Sequence, residues 1–170
     1  MRRKKHNGYG VAQWLLAIPA AIIVAVVITV VFFEGRKAYW DSKVREFCRK
    51  EGGVTVYERV PLSVEEFRKL GGDHGPLPIP SESTASKDSP YISKQSRIDI
   101  REKDPEVIRG EWLIERRSDG KVLARLVYFS RIGGDNPLSF GHPTVFSCRN
   151  IPGFRSDIER QVFEITGATK

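Results

Sequence analysis

The chain has 170 residues with 28 basic and 21 acidic side chains, a formal net charge of +7. Four of those basic groups (Arg2, Arg3, Lys4, Lys5) crowd the first five residues, and the rest of the chain is close to balanced. No basic surface of the density that nucleic-acid binding requires is visible, so nucleic acid is excluded as a partner.

Residues 1–10 read as a basic cytoplasmic tail and 11–33 as a transmembrane helix. No Asp, Glu, Lys or Arg lies between Lys5 and Glu34, and only Pro19 and Thr29 interrupt an aliphatic and Phe run from Leu15 to Phe33. A 23-residue helix rises roughly 34 Å, against a hydrocarbon core of about 30 Å. The bilayer is therefore the first expected partner. A cleaved signal peptide has a shorter apolar region and a small-x-small site, whereas this run ends in Phe32-Phe33-Glu34. Tyr9 and Trp14 at one end, and Phe32, Phe33, Tyr39 and Trp40 at the other, suit the two interfaces.

Within the span, Ala17, Ala21, Ala25 and Thr29 recur every fourth residue. Such a small-residue stripe permits close helix packing in lipid, against another envelope protein or a second copy. The Lys and Arg of the two flanks are nearly equal in number. The dense short tail and the cysteine pair favour a cytoplasmic N-terminus and an exported domain.

Residues 34–170 are expected to form one α+β domain, with four or five antiparallel strands and two or three packed helices. Trp40, Val44, Phe47 and Cys48 share a helical face over 36–50, which Gly52-Gly53 closes; Gly35 is a possible break from the span. Val54–Val60 reads as one strand stopped by Pro61. Ser63 and Glu66 form a capping box for a helix over Val64–Leu70. The Gly-, Pro- and Ser-rich stretch 71–90 reads as a flexible loop.

Strands are expected at Tyr91–Ile100, Val107–Arg117 and Lys121–Arg131, the last two joined at Ser118-Asp119-Gly120. Trp112 and Ile114 on one strand, and Val122, Ala124, Leu126 and Tyr128 on the next, form a buried face. Leu113, Glu115 and Arg117 make the opposite face wet, so helices are expected on one side of the sheet. A last strand over Thr144–Cys148 and a helix capped by Ser156 and Glu159, buried through Ile158, Val162 and Ile165 and ended by Gly167, complete the pattern.

Cys48 and Cys148 are the only cysteines. In an exported domain they suggest one disulfide, the alternative being two buried free thiols. Candidate chemistry is thin. His74 and His142 could share a site with Asp73 and Asp135, but no metal-ligand spacing is present, and His6 lies across the membrane from both. Cys148 follows His142 by six residues, a nucleophilic pair only if the thiol is free. Gly-Gly-Asp at 71–73 and 133–135 reads as turns. No cofactor and no catalytic residue is expected.

Cys48-Arg-Lys-Glu-Gly-Gly-Val-Thr-Val-Tyr-Glu58, Ser118-Asp-Gly-Lys-Val-Leu123, Gly133-Gly-Asp135 and His142-Pro-Thr-Val-Phe-Ser-Cys148 resemble a group of small bacterial membrane-anchored proteins without a known activity. The likeness covers roughly residues 40–150. It implies bacterial origin, which puts the anchor in the inner membrane and the exported domain in the periplasm, and it implies that Cys48 and Cys148 belong together. A second resemblance is to type IV pilin-like proteins, which carry a short basic leader ending in Gly, here Gly10, an apolar helix and an amphipathic helix packed on an antiparallel sheet. Leu15 stands where that family has Glu, and Val11 where it has Phe or Met. Function is accordingly expected to be that of an anchored, non-enzymatic interaction or accessory protein, with a filament subunit or an envelope enzyme as alternatives.

Overall fold

A computed structural model describes residues 9–72, 75–137 and 141–166. The expected α+β architecture is present. One helix, α1 (Tyr9–Lys50), runs without interruption through Pro19 and Gly35. It is followed by β1 (Gly53–Val56), β2 (Val60–Ser63), α2 (Val64–Lys69), β3 (Tyr91–Arg101), β4 (Glu106–Arg116), β5 (Lys121–Ile132), β6 (Val145–Ser147), α3 (Ile158–Val162) and β7 (Phe163–Thr166). The main sheet has the order β1-β5-β4-β3, with β6 also on β5, and all its pairings are antiparallel.

The first half of α1 is apolar, α1 is long enough to cross a membrane, and from Ala17 on the apolar stretch is covered by no other part of the protein among the described residues. That fits a transmembrane or signal anchor. The second half docks on the sheet through the face expected from its period: Val44 is fully buried and Cys48 nearly so, with Trp40 and Phe47 packed beside them. Glu46 sits on the exposed side, where Lys50 and Lys43 hold its carboxyl down at about 2.

Helices cover both faces of the sheet, not one. Val44 and Cys48 pack with Val107, Val127, Phe129 and Cys148. Ile158 and Val162 of α3 pack with Ile114, Ala124 and Leu126, which alternate with that first set along the same strands. The face read as wet is wet only beyond the reach of α1, where Arg109, Glu111 and Arg125 pair with one another. A bulge between Ile114 and Glu115 accounts for a second difference. Ala124 lies opposite Ile114 but Val122 lies opposite Glu115, so Leu123 is the extra residue. Leu123 is fully buried, and Val122 leaves the face predicted for it.

The same bulge divides the strand expected over 54–60. Leu123 O accepts from both Tyr57 N (2.8 Å) and Glu58 N (3.1 Å), so the chain turns away there. Glu58 meets Arg116 and Lys121 at the turn. The chain then re-enters as β2, with Pro61 inside it, paired in parallel with β7. That pairing also overrides the last helix. α3 has five residues, Asp157 and not Ser156 precedes it, and no side chain caps it. Ile165 lies in β7 and is 45% exposed instead of buried. The β-branched pair Ile165-Thr166 gains a ladder with β2 that a further helical turn would forfeit. The Ser63–Glu66 capping box of α2 is formed as expected. Within 71–90, Leu77 is buried and Ser81 bridges to Ser93, so this irregular segment is pinned to the sheet.

Cys48 and Cys148 are joined in a disulfide that closes a loop of 100 residues. It staples α1 to the segment following β6. Replacing both cysteines by Ala should destabilise the domain by about 2–5 kcal/mol, read as a lower unfolding midpoint of the detergent-solubilised chain. The parent should run faster on a non-reducing gel than after reduction, and the variant should show no such difference.

Candidate functional site

On α1, Lys37, Asp41, Val44 and Cys48 fall at helical spacing on one stripe facing the sheet. The upper part of the stripe is apolar and covalent; the lower part, beside the end of the apolar segment, is charged. There α1 meets the strand ends and the loop residues 102–105, 133–137 and 141–144.

Arg131 is the centre of this junction. Its side chain is 2% exposed and its Nε donates to Asp41 Oδ1 at 2.5 Å. Its Nη1 donates to Gly133 O, and to Thr144 O and Oγ1 at 3.3 Å each. Thr144 Oγ1 in turn donates to Asp135 Oδ1 (2.6 Å), and Thr144 N to Asp135 Oδ2 (2.7 Å). Lys37 Nζ lies 3.2 Å from Asp135 Oδ1. The circuit therefore leaves α1 at Asp41 and returns to it one turn away at Lys37. Beside it, Asp104 accepts from Gly134 N (2.6 Å) and from Arg36 Nη2 (2.7 Å). Arg101 stacks on Trp40 with its guanidinium carbon 5.0 Å from the ring centre.

Burial works to raise the Asp135 carboxyl, but the two Thr144 hydrogen bonds and the Lys37 ammonium outweigh it and hold the group below the ordinary carboxylate range. Its pairing thus stabilises the junction above that range and is lost as pH falls.

Next to the circuit is a cleft of about 390 Å³ lined by Glu34, Lys37, Asp104, Asp135, His142 and Thr144, among others. It brings together Asp135 and His142, two of the candidate residues. His74 and Asp73, with which they were grouped, lie outside the described residues, as does His6. Among the described residues no His, Cys, Asp and Glu cluster suited to a metal ion occurs. Both cleft aspartates already serve the junction. Cys148 is fully buried in its disulfide and accepts a hydrogen bond from Phe129 N, so it is no nucleophile. Compared with family models, curated proteins and solved structures, the chain matches none.

Gly133 and Gly134 both have φ +78°, and a Cβ on Gly133 would sit 2.5 Å from Asp104 Oδ1. The Gly-Gly-Asp at 133–135 is thus a turn that delivers Asp135 to Thr144 and Lys37. Of the small-residue stripe, Ala17, Ala21 and Ala25 face outward, and Thr29 Oγ1 donates to Ala25 O at 2.8 Å. Among the described residues no other part of the chain buries them.

Arg131, Asp41 and Asp104 were not singled out in the sequence. The available signal was an arginine just after the apolar run Leu126–Phe129 of β5, which demands a partner once that end of the strand is buried.

Asp41→Asn should destabilise the domain by about 3–5 kcal/mol, because it strands a buried guanidinium; thermal unfolding in detergent measures this. Acidification below about pH 4 should loosen the foot of α1, seen as a change in Trp40 emission in a chain whose other tryptophans are replaced by Phe. Asp135→Asn should remove part of that acid dependence.

Proposed function

We propose that this chain is a membrane-anchored interaction or accessory protein of the bacterial envelope, with its N-terminus cytoplasmic and its domain in the periplasm. The observation that carries the reading is the mounting of the domain. One helix leaves the apolar segment and, with no linker, is fixed to the sheet by a disulfide, a buried ion pair and two further salt bridges. Such a mount holds the domain at a set height and orientation over the bilayer, which suits presentation of a surface to a neighbour. The disulfide agrees with an oxidising compartment. The cleft acids act as braces for α1, and this favours a structural role over acid–base chemistry.

A pilin-like filament subunit is the second reading. It is favoured by the division of α1 into an uncovered apolar half and a half packed on an antiparallel sheet. Leu15 in place of the family's Glu weighs against it.

In intact spheroplasts, a membrane-impermeant maleimide should label a cysteine introduced at the exposed Ser83, and should reach one introduced in the 1–10 tail only after permeabilisation. The reverse pattern would overturn the orientation. Intact mass decides the second reading: a chain beginning at Met1 removes it, and one beginning at Val11 supports it.

A further inference from the structure

The apolar run of α1 ends at Phe33, and the domain meets the helix almost at once. Arg36 and Lys37 follow within a turn, so their Cα atoms stand only about 4.5 and 6 Å further along the axis than that of Phe33. Helical side chains lean toward the N-terminus, which here is toward the apolar segment. Arg36 does so: its guanidinium carbon lies 4.9 Å from the centre of the Phe33 ring, while its Nη2 donates to Asp104 Oδ2 at 2.7 Å. Asp104 is therefore held beside the last apolar residue. Lys37 holds Asp135 at 3.2 Å. The cleft at this level is lined by Glu34, the residue after Phe33, together with Gly141, His142 and Pro143.

A bilayer holds a hydrocarbon core of about 30 Å within a total of about 40–45 Å, which leaves roughly 5–7 Å for the headgroups on each side. Asp104 and the cleft lie within that distance of Phe33, and tilting the helix only lowers Arg36 and Lys37 further. We propose that residues 102–104 and 141–143 are seated among the lipid headgroups of the bilayer that holds α1. The cleft then opens onto headgroups and not onto the aqueous phase. The inference rests on the reading of α1 as a membrane span and holds for either leaflet.

The charges at this surface set the kind of headgroup. Arg36, Lys37, Asp104 and Asp135 are already paired within the chain. Glu34, Glu102, Lys103 and His142 are exposed and make no ion pair among the described residues. Lys103 and His142 suit a lipid phosphate, and the two carboxylates suit a headgroup amine. Groups of both signs fit a zwitterionic phospholipid, so no anionic lipid is required. The same seating stands the sheet upright. β5 reaches the foot at Arg131, and the turn before Lys121 lies roughly 33 Å back along that strand, clear of the bilayer.

The test uses the full chain in phosphatidylcholine vesicles, with a bimane fluorophore on a cysteine introduced by Lys103→Cys, His142→Cys, Ser118→Cys or Ala25→Cys. The native cysteines stay in their buried disulfide and take no label. A phospholipid bearing a nitroxide on its headgroup should remove most of the emission at 103 and 142 and leave that at 118 nearly intact. A nitroxide midway along the acyl chain should quench the label at 25. Two further helical turns inserted between Phe33 and Glu34 raise the foot by about 11 Å. They should abolish quenching at 103 and 142 and preserve it at 25. If 103 and 142 are quenched no more than 118, or if the insertion changes nothing, the seating is wrong although the span stands. Quenching at 103 and 142 that appears only with anionic lipid would overturn the choice of a zwitterionic headgroup. An unquenched label at 25 would remove the spanning reading, and the seating with it.

Discussion

A guanidinium buried under a helix controls this structure. Arg131 projects from β5 into the contact with α1, where desolvating an unpaired charge would cost several kcal/mol. Asp41 supplies the counter-charge to Nε, while Gly133 O, Thr144 O and Thr144 Oγ1 accept from Nη1. Because Asp41 is on the helix and every other partner is on the domain, the arginine is satisfied only when the two are seated in one register. The ion pair therefore specifies an alignment as well as contributing to stability. Lys37–Asp135 and Arg36–Asp104 repeat the logic nearer the apolar segment.

Above this polar foot the contact is apolar and finally covalent. Phe47 packs on Phe129 with ring centres 5.4 Å apart, Val44 is fully buried, and the disulfide ends the stripe. The two kinds of contact divide the work: ion pairs set where the helix sits along β5, and packing with the disulfide prevents it from lifting. Among the described residues the apolar half of α1 has no such contacts, and its sequence allows lipid to replace them.

The sheet is thereby committed on both faces. α1 takes one, and α3 with the 71–90 segment and β2–β7 takes the other. What stays open is an edge. β5 is paired along its length by β1, β4 and β6, whereas β3 is covered only near Ser93. Beyond that cover, β3 pairs with β4 alone among the described strands.

Local patterns alone were enough for the long apolar helix, the docking stripe Trp40-Val44-Phe47-Cys48, the Ser63–Glu66 cap and the strand pair closed at Gly120, because each depends on residues within a few positions of one another. The disulfide was legible only as one of two outcomes for Cys48 and Cys148. The bulge at Leu123, the split at Tyr57–Glu58 and the loss of the last helical turns to β7 were not legible, since each answers to a strand elsewhere in the chain. The pairing of Arg131 with Asp41, ninety residues apart, is the clearest case. By itself the sequence determined which segments must leave water, through their periodicity and composition. Only the tertiary structure decided which buried groups meet, because a buried charge or an open ladder acquires its partner from the packing of distant elements and not from its neighbours along the chain.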